Sequence, residues 1–270
     1  MRDTTVPLLS IWSQNLHGYQ RGDKFAEIAD HMQARNVNVI LMQEIHEVSE
    51  NEARVVGMLE RLFPWKTVIA NLKSREEIEQ RYREKQIDVI QQQDLSPAEE
   101  RHQIRHIDVS KSRPNGGLIT MFDTSLQQEG MIQEHYVDPE HLFICTPLHV
   151  NEQRIVLINV YAPASKEDRR YSKFLERLTG QMEYYRRRHY KFVVVGDFNS
   201  TLDERTDRYS TRARTSVTHD KPVPGIEAWM QRFHLQDAYR HYHKEIAFTF
   251  TRTTAEEETV MSRIDHCVVT

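Results

Sequence analysis

Cysteine is nearly absent: only Cys145 and Cys267 occur in 270 residues. Neither a disulfide framework nor a cysteine-based zinc site can be built from that count, and a reducing, intracellular setting is expected. Long apolar runs are missing too. No stretch approaches the ~18 residues of a membrane-spanning helix, so no membrane partner is expected. The segment Met1–Pro7 carries Arg2 and Asp3 and lacks the apolar core of a signal peptide. Charge of one sign is not in large excess, the formal net charge being -4 with 28% charged residues. Such a balance neither invites nor excludes a polyanionic partner, which a local basic patch can still meet. No internal repeat is visible. What is present is 39% hydrophobic residues, enough to bury a sizeable core.

The chain alternates strand-like and helix-like segments. Leu8 to Asn15 reads as a strand. Lys24 to Arg35 reads as a helix, with Phe25, Ile28, Ala29 and Met32 on one face. Val37 to Met42 is a nearly continuous apolar run, as expected of a strand covered on both sides. Glu52 to Phe63 reads as a helix stopped by Pro64, and Trp65 to Ala70 as a strand. Residues 73 to 113 change character, being rich in Glu, Gln, Arg and Lys with few aromatics. They are expected to form a mostly helical surface insertion, one helix starting at Ser96-Pro97. The core resumes at Gly116 to Phe122, followed by strands near Leu142 to Val150 and Arg154 to Val160. A long helix is expected over Asp168 to Arg188, with Phe174, Leu178 and Met182 inward. Then come a buried strand from Phe192, a loop over 200 to 224, a short helix over Ile226 to Phe233, and strands at Ala247 to Thr251 and Ile264 to Val269.

Polar residues sit where apolar strands end: Asn15, Glu44, Tyr161, and Asp197 with Asn199. Sheet-end loops are where α/β proteins place functional groups. The residue types suit phosphodiester hydrolysis. A hard cation such as Mg²⁺ keeps several waters and takes few protein carboxylates, so one Glu with a helper suffices. A second carboxylate can hold or deprotonate the attacking water. Neutral Asn and Tyr donors can then grip the phosphate without competing for the cation.

At these residues the sequence resembles the endonuclease/exonuclease/phosphatase superfamily, which includes apurinic/apyrimidinic endonucleases. The resemblance is carried by Gln14-Asn15-Leu16, Gln43-Glu44, Tyr161-Ala162-Pro163, Gly196-Asp197-Phe198-Asn199 and Ser262-Arg263-Ile264-Asp265-His266, in that order. Asp207-Arg208, Asp237-Ala238-Tyr239-Arg240 and Phe248-Thr249-Phe250 look like the endonuclease domains of LINE-type retrotransposons. The resemblance implies an α/β fold, a four-layer sandwich of two mixed β-sheets flanked by helices, in a single domain over 1–270. It implies a Mg²⁺- (or Mn²⁺-) dependent enzyme that nicks DNA. Glu44 and Asn15 would hold the metal. Asp197 would act on the water, Asn199 and Tyr161 would hold the phosphate, and Asp265 would orient a histidine. Thr249 would contact the DNA backbone. It further implies a monomeric nuclear protein, fused in its natural context to a reverse transcriptase, and a Ser-Asp-His segment beyond Thr270. The chain is therefore expected to be C-terminally truncated and to lack the histidine partner of Asp265. His266 should not replace it, because adjacent strand residues face opposite ways.

Other features read more plainly. His102 and His106 lie one helical turn apart without a third ligand and read as a solvated pair. Arg186-Arg187-Arg188 closes a helix, where cations favour the dipole. Two alternatives to a nicking enzyme remain. One is a non-catalytic remnant or a nucleic-acid-binding fragment. The other is the same chemistry directed at phospholipids, inositol phosphates or RNA.

Overall fold

A computed structural model describes residues 9–18, 23–64, 66–113, 116–128, 130–164, 169–210, 222–253 and 259–270. Leu8, Trp65, Asp168 and much of the expected loop over 200 to 224 therefore lie outside the described residues. The elements in chain order begin with β1 (Ile11–Asn15), α1 (Asp23–Ala34), β2 (Val39–Gln43), α2 (Glu52–Leu62), β3 (Lys66–Asn71), α3 (Arg75–Gln91) and α4 (Pro97–Arg105). Next are β4 (Leu118–Asp123), α5 (Thr124–Gln128), β5 (Tyr136–Val137), β6 (Phe143–Val150), β7 (Gln153–Tyr161), α6 (Arg170–Arg186) and β8 (Lys191–Asp197). The chain closes with α7 (Glu204–Asp207), β9 (Arg208–Ser210), α8 (Ile226–Arg232), β10 (Gln236–Asp237), α9 (Ala238–Tyr242), β11 (Phe250–Thr253), β12 (Thr259–Ser262) and β13 (Asp265–Val269).

Two mixed sheets form the centre, as the sequence implied. One has the order β1-β2-β4-β3 and the other β10-β13-β8-β7-β6-β5. Each contains one parallel pair, β1 with β2 and β7 with β8. Strand periodicity explains how both faces are covered. In β2, Val39 and Leu41 point between the sheets, where they meet Ile144, Leu157 and Val195. Ile40 and Met42 point outward, to Phe25, Met32 and Leu59 of the two flanking helices α1 and α2. On the opposite outer face, Val156, Ile158 and Val194 pack under Phe174, Leu178 and Met182 of α6 and Trp229 of α8. Each such large side chain contributes roughly 1.5–3 kcal/mol by leaving water.

The charged stretch after β3 is helical. Capping boxes start both α3 and α4, from Ser74 with Glu77 and from Ser96 with Glu99. Ile78 and Ile90 anchor α3 in the protein, whereas α4 buries no residue. His102 and His106 are exposed, with their ring centroids 4.4 Å apart. A third sheet, β11-β12-β9, was not legible as such. Its strands are short, β11 is mostly exposed, and the expected strand at Ala247 begins only at Phe250. No helix among the described residues is long and apolar enough to cross a membrane.

Gly196 is a structural requirement of the strand that carries Asp197. A β-carbon there would lie 2.1 Å from the carbonyl oxygen of Val160, on a backbone with φ of +139°. Gly196→Ala must therefore part β7 from β8 or twist the strand. We expect a loss of more than about 3 kcal/mol of unfolding free energy, read from urea denaturation.

Candidate active site

Strand register gathers the functional groups before any side-chain contact is considered. Tyr161 at the end of β7 pairs with Asp197 at the end of β8, and Asp197 pairs in turn with Asp265 at the start of β13. Three polar residues thus stand in a row across one sheet. In the other sheet Asn15 ends β1 opposite Gln43, and Glu44 follows directly. Both rows open on one cavity of about 680 Å³ lined by Asn15, His17, Glu44, Tyr161, Asp197, Asn199, Thr249 and Asp265. All seven residues singled out from the sequence meet there, with His17 in addition.

Hydrogen bonds fix their orientation. Asn15 Nδ2 donates to Asp197 Oδ2 at 2.8 Å, and Asn15 Oδ1 accepts from the His17 backbone at 3.0 Å. The Asn199 backbone N–H donates to Asp197 Oδ1 at 2.7 Å, while its side-chain amide donates to the Ala162 carbonyl at 2.9 Å. Tyr161 donates to Glu44 Oε1 at 2.7 Å. Glu44 Oε2 accepts from His17 Nδ1 at 2.6 Å, and His46 Nε2 lies 3.6 Å away. Thr249 Oγ1 accepts from the backbone N–H groups of Ile264 and Asp265, which ties the start of β13 to the cavity wall. His17, Glu44, His46 and Asn199 all have positive φ, between +46° and +56°. Such concentration of left-handed backbone at non-glycine residues is typical of functional loops.

The electrostatics are lopsided. Burial pushes the Asp197 carboxyl up to about 8, and the neighbouring Asp265 and Glu44 push the same way, against hydrogen bonds from Asn199 and Asn15. Asp265 is also raised, chiefly by burial. Tyr161 is raised by burial and by Glu44, so it remains a protonated donor. Among the described residues no lysine or arginine forms an ion pair with Glu44, Asp197 or Asp265. Three converging acids without a lysine or arginine partner among the described residues, beside neutral oxygen donors, fit a divalent cation by the chemistry of the donor set.

Two networks behind the cavity were not foreseen as such. Gln43, read from the sequence only as part of a motif, is fully buried. Its amide donates to Asn159 Oδ1 at 2.7 Å and to Ser13 at 3.1 Å, and Asn159 donates to the Ile119 carbonyl at 3.0 Å. This polar cluster locks β1, β2, β4 and β7 together just below Asn15 and Glu44. The second network uses the segments at 207 and 237–240. Arg263 donates to Asp207 at 2.9 Å and bridges to Asp237, and Arg240 donates to Asp207 at 2.8 Å. Burial alone would raise Asp207, yet hydrogen bonds from Arg240 and the charge of Arg263 hold it below the usual carboxylate range.

Asp207 and Asp237 lie close to His266, but guanidinium groups already satisfy both acids, so this cluster has no need of a metal. Arg263→Met would leave buried Asp207 and half-buried Asp237 with a single cation. An unfolding free energy lower by about 3–5 kcal/mol is expected, measurable by chemical denaturation. His266 faces away from the cavity row, as strand alternation required. It is buried against Phe198 and its Nε2–H donates to the Ser200 carbonyl at 2.9 Å.

Comparison with known proteins gives a consistent picture. The family model described as "Endonuclease/Exonuclease/phosphatase family" matches residues 11–270. No curated protein sequence matches the chain. Among solved structures, the AP endonuclease LMAP from Leishmania major superposes with a TM-score of 0.64 at 16% identity, covering 97% of this chain and 79% of that one. The 3'-5' exonuclease NExo from Neisseria meningitidis gives a TM-score of 0.59 at 16% identity, with 96% and 86% covered. The endonuclease domain of TRAS1, a telomere-specific non-LTR retrotransposon, gives 0.52 at 11% identity, with 97% and 85% covered.

Proposed function

The chain belongs to the endonuclease/exonuclease/phosphatase family, and from that premise we propose that it is a Mg²⁺- or Mn²⁺-dependent phosphodiesterase that nicks DNA. The observation that carries the reading is the convergence of Glu44, Asp197 and Asp265 with Asn15, Tyr161 and Asn199 on one cavity, without a lysine or arginine pairing the acids among the described residues. Glu44, assisted by Asn15, is the residue to hold a divalent cation, which would neutralise charge on the phosphoryl oxygens. Asp197 is held by Asn15 and by the Asn199 backbone in a fixed direction, as a group that aligns a water and takes its proton must be. Tyr161 and Asn199 then offer neutral donors to the phosphate. In the structure both donate to protein acceptors, Glu44 and the Ala162 carbonyl, and the substrate's oxygens replace those acceptors.

The segments at 207–208 and 237–240 favour a LINE-type element as the source. On that reading the natural context is a nuclear protein that also carries a reverse transcriptase. The assay is conversion of supercoiled plasmid to open circle by the chain with Mg²⁺ or Mn²⁺. Nicking that is abolished by EDTA and restored by excess cation is expected. Equal nicking in EDTA overturns the mechanism. Hydrolysis of RNA, of a phosphomonoester or of an inositol phosphate without plasmid nicking overturns the DNA assignment and leaves the metal-dependent chemistry standing.

A further inference from the structure

Glu44 is bracketed by imidazoles. His17 Nδ1 is 2.6 Å from its Oε2 and His46 Nε2 is 3.6 Å from the same oxygen. No step of the proposed hydrolysis uses either ring. His17 and His46 both take positive φ, +47° and +56°, a left-handed conformation that histidine adopts more readily than most side chains. The two rings differ in setting. The His17 side chain is 67% exposed and the His46 side chain 33%, against 11% for Glu44. His17 therefore stands at the mouth of the cavity with its nitrogen aimed at the buried carboxylate, and it is near enough to Asp265 to act on that group's charge. His46 lies deeper and farther from the acid.

We propose that His17 is a ligand of the cation that Glu44 holds, and that its nitrogen gives the site a preference for Mn²⁺ over Mg²⁺. The inference rests on the reading of Glu44 as the metal-holding residue. Donor atoms on one small cation sit roughly 3 Å apart, and the His17 nitrogen and the Glu44 oxygen are already at about that separation. The exposed ring is free to open by the few tenths of an ångström required. An all-oxygen site suits Mg²⁺, whereas imidazole suits the first-row transition ions, which bind nitrogen donors more tightly. Asn15, whose oxygen accepts from the His17 backbone, ties the ring to the Asp197 side of the cavity. The competing cluster of Asp207, Asp237 and His266 is neutralised by Arg240 and Arg263 and offers no such opening.

The test uses the full chain and Mn²⁺ alone as probe, with no substrate. Mn²⁺ binding is titrated by electron paramagnetic resonance, and Mg²⁺ affinity by competition. Pulsed measurements then report whether a ¹⁴N nucleus is coupled to the bound Mn²⁺. His17→Gly and His17→Asn remove the imidazole while keeping residues that tolerate left-handed backbone, so both should fold, as circular dichroism would verify. The expected result is imidazole nitrogen coupling in the parent chain that disappears in both variants. The Mn²⁺-over-Mg²⁺ preference should fall about 10-fold in His17→Gly. Mn²⁺ binding without nitrogen coupling overturns the proposal. So does coupling that survives in His17→Gly and vanishes in His46→Ala. In either case the Glu44 site stands. If Glu44→Gln binds Mn²⁺ as tightly as the parent, the underlying metal-site reading fails and this inference fails with it.

Discussion

Asp197→Asn is expected to lower turnover by about 10²–10⁴-fold while KM for DNA stays within roughly threefold, because the change strikes the group acting on the water rather than one gripping substrate. The same substitution should stabilise the metal-free protein. In the fold, burial and then the neighbouring Asp265 carboxylate push the Asp197 carboxyl up to about 8 from an ordinary value of 3.8. Between those two values the folded protein keeps a proton that the unfolded chain has released. The stability this proton confers is full below about pH 3.8 and is lost progressively as the pH rises to about 8. An asparagine side chain at this position cannot ionise, so the variant should melt several degrees above the parent at pH 8.5 in EDTA and close to it at pH 4. Thermal melts at the two pH values, beside single-turnover nicking assays, read both effects. Unchanged turnover would remove Asp197 from the chemistry, whatever the melts show.

That trade-off explains how much of the site could be read from the sequence. Glu44, Tyr161 and Asp197 were visible because each interrupts an apolar strand at its end, where a hydrophobic residue would pack as well. Their convergence was not visible in periodicity. It depends on the registers Tyr161 to Asp197 and Asp197 to Asp265, set by strand pairing across distant segments. The layers were legible for the same local reason, as in Val39 to Gln43, where alternate residues feed two different cores. The small third sheet escaped notice because β9 and β12 are only three and four residues long and β11 exposes most of its length.

His17 and His46 escaped for a different reason. A histidine in a loop carries no periodic signal, and only the left-handed turns that follow β1 and β2 bring both rings to Glu44. The segments at 207 and 237–240 stood out as a motif, but their physical use was hidden. They form an ion network whose centre, Arg263, lies in the strand-turn that presents Asp265. A motif residue near an active site can thus serve by holding the loop that carries the chemistry.

The contrast with Glu44→Gln separates metal binding from proton transfer. The glutamine side chain would keep the shape of the original and one oxygen to accept from Tyr161 or His17, so the local fold should survive. What disappears is the anionic oxygen facing the cavity. A cation bound largely by charge to hard oxygen ligands then loses its principal attraction. Changes to groups that merely support a metal's ligands typically weaken affinity 10–100-fold, so loss of the ligand itself should weaken Mn²⁺ binding by at least about 100-fold. The nicking defect should shrink as cation concentration is raised, whereas that of Asp197→Asn should not. Glu44 also raises Asp197 and Asp265 through like charge, so its neutralisation should draw both downward. Metal-free Glu44→Gln is accordingly expected to be at least as stable as the parent near pH 8. A variant that loses activity at every cation concentration while binding Mn²⁺ normally would place Glu44 in the proton-transfer chemistry instead and would leave the metal without its proposed anchor.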